Sequence, residues 1–188
     1  MMDAEEAVRR LIGGDDEAFD HIVRHWERRI YNLAWRMVGN REDAQDIVQE
    51  TFLSAFRSIK GLRDPGNFSA WLYQIALNHC RMRWKHRASN RRDDVAADQL
   101  EDKDYFEGAL TVEHGADQLE KVDIIRKALA GLSEDHKTAI VLKEYVGLSL
   151  EELASVMRCP LSTAKSRLYH GLQEVQRNLK RLGFIARP

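Results

Sequence analysis

Residues 93–123 carry 11 acidic and 2 basic side chains, a local charge of -9 in a chain whose formal total is only -1. From about Ser89 to Gly115 the chain has little helical periodicity, and its carboxylates would repel one another in a compact state, so this stretch reads as a linker between two lobes, the alternative being a long solvated loop of one domain. The flanks differ in sign. Residues 1–88 hold 14 basic and 13 acidic groups, Arg91 and Arg92 follow, and residues 124–188 hold 11 basic against 6 acidic. The expected architecture is all-α, with two small helical domains, residues 1–88 and 116–188, joined by an acidic flexible linker over residues 89–115. Such a linker spans about 90 Å extended and about 30 Å as a coil, so both domains can reach one extended ligand.

Composition narrows the function classes. Charged residues make up 31% of the 188, and no stretch approaches the roughly 18 to 20 apolar residues that cross a bilayer. Met1–Gly14 contains Glu5, Glu6, Arg9 and Arg10 and no apolar core of the secretory kind, so the chain is expected in the cytoplasm. Cys80 and Cys159 lie far apart and outside any C-x-x-C pair, which argues for two ordinary thiols. His21 and His25 stand at i and i+4 as in metalloprotease helices, but Ile22 occupies the place of the required Glu. No metal, cofactor or catalytic site is expected.

Helical period is clear in the first domain. Ala44, Ile47, Val48, Thr51, Phe52, Ala55, Phe56 and Ile59 predict one apolar face of a helix over Glu42–Ser58. Its other face is unusual, because Asp43, Asp46 and Glu50 line up with Leu53 and Arg57, with Gln49 beside them. After the turn at Gly61–Gly66, a second helix begins near Asn67 and Ser69. Phe68, Trp71, Leu72, Ile75, Ala76, His79 and Met82 are expected to be its buried face, and Gln74, Asn78, Arg81 and Lys85 its polar one. Its end carries Arg81, Arg83, Lys85, Arg87, Arg91 and Arg92 with no intervening acid, interleaved with Trp84 and His86. Cations beside aromatic rings suit a surface that holds phosphates and stacks on bases.

The second domain has the sharper signal. Ser149-Leu150-Glu151-Glu152 is a capping box, and the helix it opens ends at Arg158-Cys159-Pro160. Ser162 is expected to cap a second helix containing Ala164, Leu168, Val175 and Leu179. Helix, short turn and helix make a DNA-binding helix-turn-helix, whose second helix places Thr163, Lys165, Ser166, Arg167, Tyr169 and His170 at the major groove.

Four segments together carry a resemblance. Asp43-Ala44-Gln45-Asp46-Ile47-Val48-Gln49-Glu50-Thr51-Phe52-Leu53, Phe68 to Asn78, Gly147 to Ala154 and Cys159 to Leu168, in that order, resemble extracytoplasmic-function sigma factors of the sigma-70 family. The resemblance implies a non-enzymatic initiation subunit of bacterial RNA polymerase. It implies that Asp43, Asp46, Gln49, Glu50 and Leu53 dock on the clamp helices of the largest polymerase subunit, with the flap region as a further partner. It implies that the minus-ten promoter element is read as melted single strand. Asp64, Asn67, Phe68, Ser69 and Trp71 would form a pocket for an extruded base, and Asn78, Arg81, Arg83, Trp84, Lys85 and Arg87 would hold the strand. The minus-thirty-five element would be read as duplex through Ser162, Thr163, Lys165, Ser166, Arg167, Tyr169 and His170.

Control by an anti-sigma factor is implied as well, and no obligate homo-oligomer. The acidic linker is expected to thread a basic channel of the polymerase. Three positions depart from the family pattern: Met82, where Asp or Asn is common; His170, where Arg is common; and Gly171 inside the recognition helix. A stand-alone helix-turn-helix regulator is the alternative that the second domain alone would allow.

Overall fold

A computed structural model of the chain describes residues 4–90, 124–125 and 127–184, with the backbone alone for Ala4 and for 87–90. The expected linker lies outside the described residues from 91 onward, and with it the proposed path through a polymerase channel. The described residues contain helices and turns and no strand. Helices α1 (Ala4–Ile12), α2 (Ala18–Val38), α3 (Arg41–Ser58) and α4 (Phe68–Asn90) form the first unit. Helices α5 (Glu134–Ile140), α6 (Leu150–Met157) and α7 (Leu161–Arg181) form the second, with a π-helical turn at Val141–Tyr145 between α5 and α6.

Local chemistry sets the helix ends. Asn40 starts α3, its side-chain oxygen accepting from the Asp43 amide at 2.9 Å. At Gly39 the chain leaves α2 with φ 70°, a left-handed conformation that glycine adopts without a Cβ penalty. In the loop before α4, Asp64 accepts from the Gly66 amide at 3.0 Å and from Asn67 Nδ2 at 2.6 Å, which fixes a short 3-10 turn over Pro65–Asn67.

The capping box forms as expected. Ser149 Oγ accepts from the Glu152 amide at 3.1 Å, and Glu152 Oε2 accepts from the Ser149 amide at 2.7 Å. At the turn the expectation for Ser162 fails. The N-cap of α7 is Pro160, which makes no side-chain cap bond, and Ser162 is exposed within the first turn. Proline's fixed φ starts the helix two residues earlier than a hydroxyl cap at Ser162 would.

Ala44, Ile47, Val48, Thr51, Phe52 and Ala55 are buried on α3, whereas Phe56 is 40% exposed and meets Phe19 edge-on at 4.9 Å. On α4 the inward face is Phe68, Leu72, Tyr73, Ala76, Leu77 and Cys80. Met82, expected inside, is 56% exposed. Trp71, Ile75 and His79 are half-buried at the edge, with His79 Nε2 3.1 Å from Ser54 Oγ of α3. The face is turned by about one position because α4 is covered from two sides, by α2 and α3 and by the second unit. A single apolar cluster runs through both units, from Ala7 to Ala164.

Polar contacts tie the units together. Arg158, the left-handed C-cap of α6 at φ 50°, directs its guanidinium to Gln74 Oε1 at 2.8 and 3.1 Å. Gln74 Nε2 in turn donates to the Ser155 carbonyl at 3.0 Å. Arg81 pairs with Glu134 at 2.5 Å. Lys137, only 9% exposed, donates to the Met37 carbonyl at 2.7 Å, with its ammonium 5.3 Å from the centre of the Trp84 ring.

Candidate macromolecule-binding surfaces

The acidic face of α3 is outward. Asp46, Gln49 and Glu50 are exposed and Leu53 is 50% exposed, while Asp43 is half-buried beside the helix start. An uncovered leucine thus lies among carboxylates and an amide on this face. This face is linked to the basic run of α4, because Arg83 reaches Asp46 at 2.8 Å and Asp43 at 3.4 Å.

The candidate strand-binding residues lie along one helix and the loop before it. Phe68 is buried, Ser69 and Trp71 are half-buried, and Asp64 and Asn67 sit exposed on the loop that their own hydrogen bond shapes. Phe68 and Trp71 are tilted neighbours with ring centres 5.7 Å apart, and Trp26 stands 5.9 Å from Phe68. Asn78 and Lys85 are exposed. Arg81 and Trp84 instead face the second unit through Glu134 and Lys137, and the Arg87 side chain lies outside the described residues. The structure thus gathers the loop and the start of α4 into one surface, while the second unit covers part of the helix farther on.

On α7, Ser162, Lys165, Ser166, Tyr169 and His170 are exposed, Tyr169 by 62%, and Thr163 and Arg167 are half-buried. They occupy the first turns of the second helix of a helix-turn-helix, the place from which side chains enter a groove. Arg167 is held by Asp135 of α5 at 2.7 Å, and the His136 ring, 6.4 Å from that of His170, pairs with Glu174 at 2.9 Å. Gly171 is explained by packing. A Cβ there would meet Ile140 Cδ1 at 3.0 Å, His136 Cβ at 3.1 Å and the His136 carbonyl at 3.2 Å, so glycine lets α5 cross α7 closely.

Burial pushes the Cys80 thiol up to about 12, and the described residues contain no group of three ligands fit for a metal ion. His21 and His25 are exposed, the latter 3.0 Å from Arg29. Lys137, Gln74 and Arg158, which join the units, carry no sequence signal, because a lone polar residue on an amphipathic helix reads as a solvated one.

Comparison with known proteins agrees with this arrangement. Residues 22–90 match the model for Sigma-70 region 2, and residues 123–175 match that for Sigma-70, region 4. The RNA polymerase sigma-H factor of Pseudomonas aeruginosa is 32% identical over 189 residues, covering 95% of this chain and 94% of that protein. The ECF RNA polymerase sigma-E factor of Haemophilus influenzae is 34% identical over 181 residues, covering 93% and 94%. In fold, the chain is similar to CnrH in its complex with the cytosolic domain of CnrY, with a TM-score of 0.70 at 23% identity over 95% of this chain and 99% of that one. It is also similar to the sigma factor RpoE of Bartonella quintana in complex with the anti-sigma factor NepR, with a TM-score of 0.67 at 24% identity over 86% and 96%. Two matched regions in the right order and full-length relatives above 30% identity settle the family: this chain belongs to the extracytoplasmic-function sigma factors of the sigma-70 family, which are transcription initiation factors and not enzymes.

Proposed function

We propose that this protein binds core RNA polymerase and directs promoter-specific initiation. The polymerase and minus-ten contacts belong to residues 1–88, the minus-thirty-five contacts to residues 116–188, and residues 89–115 connect them. The observation that carries the reading is the outward face of α3, where exposed Asp46, Gln49 and Glu50 surround a half-exposed Leu53. With Asp43 this face docks on the clamp helices of the largest subunit, and the second domain meets the flap region. A patch of three carboxylates and one apolar anchor fits a basic helical partner, with charge setting encounter and Leu53 supplying buried area.

Promoter DNA is the second partner. The loop residues Asp64 and Asn67, with Phe68, Ser69 and Trp71, receive a base extruded from the minus-ten strand. Unstacking that base costs a few kcal/mol, which aromatic and polar pocket walls offset. Asn78, Arg81, Arg83, Trp84, Lys85 and Arg87 hold the strand, and Ser162, Thr163, Lys165, Ser166, Arg167, Tyr169 and His170 read the minus-thirty-five duplex. Since Arg81 and Trp84 contact the second unit, the strand is bound after the units part, and the closed arrangement is the resting one. The similar Bartonella quintana structure is of a sigma factor in complex with an anti-sigma factor, and we assign an anti-sigma factor to this chain as well. As a polymerase subunit the protein acts in the cytoplasm, where its relatives named as RNA polymerase sigma factors support placing it.

Core binding tests the docking face. Native-gel titration of core polymerase should give a complex with the wild type and at least about tenfold weaker binding with Leu53→Asp, the loss of one buried apolar anchor. Equal binding by a folded Leu53→Asp protein would remove the α3 face from the account.

A further inference from the structure

Between α2 and the start of α4 lies a cleft of 380 Å³ that the minus-ten residues named above do not account for. Trp26, Arg29, Asn32 and Arg36 of α2 line one side, Ser69 and Tyr73 of α4 the other, and Tyr145 of the π-helical turn closes it from the second unit. Its chemistry asks for an anion. No carboxylate lines it, and neither guanidinium makes an ion pair among the described residues. Both guanidiniums are instead parked on aromatic rings, Arg29 5.0 Å from the Trp26 centroid and Arg36 4.2 Å from that of Tyr145. Arg36 is half-buried, donates to the Asn32 carbonyl at 3.2 Å and toward Tyr145, and has no carboxylate partner among the described residues, while Arg29 is exposed and 3.0 Å from His25 Nε2.

The Trp26 and Tyr73 rings line the cleft beside the two cations, while the indole Nε1 of Trp26 is itself enclosed. Two cations and two aromatic rings match one nucleotide, with a phosphate between the arginines and a base or sugar against an aromatic face. Ser69 belongs both to this cleft and to the candidate base pocket, so the two adjoin at the start of α4.

We infer that the Arg29–Arg36 cleft is a second nucleotide pocket, which receives the melted promoter strand beyond the base pocket at the start of α4. This rests on the proposed reading of α4 as the minus-ten surface. In the closed chain Tyr145 stacks on Arg36 in the place of that strand, and parting of the units exposes the cleft.

The test uses holoenzyme on a template whose minus-ten region is premelted, with affinity measured across a salt series. Arg29→Gln/Arg36→Gln is compared with wild type and with Arg29→Lys/Arg36→Lys, each with core affinity and thermal melting checked. Losing the phosphate contact held between the two arginines should weaken binding several-fold at moderate salt and flatten the log-affinity against log-salt slope by about 0.7, the single-strand value for one phosphate. The lysine pair should restore most of the slope. An unchanged slope in the Gln variant overturns the inference, whether or not affinity falls, since misfolding or an acidic protein as occupant would leave the strand's salt dependence intact. Failure of the wild-type holoenzyme to bind the premelted template would instead remove the minus-ten reading, and the pocket with it.

Discussion

Lys137 Nζ donates to the Met37 carbonyl at 2.7 Å, so a side chain of the second unit closes the end of a helix in the first. Met37 is in the last turn of α2, where four carbonyls have no intrahelical donor and the helix dipole presents its negative end. The helix end and the Trp84 ring offset part of the cost of burying an ammonium there, and the hydrogen bond to the carbonyl is one that the lysine amine makes charged or neutral. Lys137→Glu would set a carboxylate against this carbonyl and lose the charged hydrogen bond, weakening closure by about 2 kcal/mol or more. Small-angle scattering should show a larger radius of gyration for the variant with unchanged helix content by circular dichroism. An identical radius would mean that Lys137 does not hold the units together.

The same ammonium makes closure pH-dependent. Burial pushes Lys137 down from 10.5 to about 8, partly opposed by Cys80 nearby. Between about pH 8 and pH 10.5 the open form therefore carries a proton that the closed form lacks. Raising pH through that window favours closure, and the gain is lost as pH falls through about 8. Energy transfer between dyes on the two units should rise from pH 7.5 to 9.5 in wild type and stay flat in Lys137→Met, whose side chain does not titrate. The same rise in both would assign the effect to another group.

Gly171→Ala is expected to destabilise the protein although alanine is the better helix former by about 1 kcal/mol. The added methyl would crowd Ile140 and the backbone of His136 at 3.0 to 3.2 Å, and α5 would have to shift. A melting temperature lower than wild type by a few degrees is the expected result; an increase would mean that the α5–α7 crossing relaxes freely.

Ser149→Ala removes one half of the capping box and should cost about 1 kcal/mol, seen as a lower denaturation midpoint. Because the cap fixes the first helix of the helix-turn-helix, minus-thirty-five binding should weaken in step with stability. A stability loss with duplex binding intact would separate the cap from the DNA surface.

The two thiols should behave differently. Cys80 is fully buried with its thiol pushed up to about 12, whereas Cys159 is half-buried in the turn before α7. A thiol reagent near pH 8 should modify one cysteine in the folded protein, identified by mass as Cys159, and both after denaturation. Rapid modification of Cys80 in the native state would contradict the packing of α4.

What the sequence makes legible is what local chemistry decides. The capping box at Ser149 and Glu152, the acidic outward stripe of α3 and the helix-turn-helix follow from spacing alone, because each depends on residues within two turns of one another. The expected cap at Ser162 fails by the same local logic, since Pro160 already sets the backbone. Helical period places Met82 in the interior, yet the period cannot reveal that α4 is covered from two sides. The closeness of α5 to Gly171, the Arg158–Gln74 contact and the stacking of Arg36 on Tyr145 are tertiary facts between residues far apart in the chain. No single-sequence pattern encodes them.

Promoter-specific initiation through the α3 face can be read out by reconstituted transcription. Core polymerase with the wild-type chain on a library of genomic fragments should start transcripts at discrete sites. With Asp46→Arg/Glu50→Arg, which reverses two exposed charges on that face, the same reaction should give none while the protein melts as wild type does. A wild-type chain that binds chosen fragments but neither recruits core polymerase nor yields transcripts would contradict the account and leave a stand-alone DNA-binding regulator in its place.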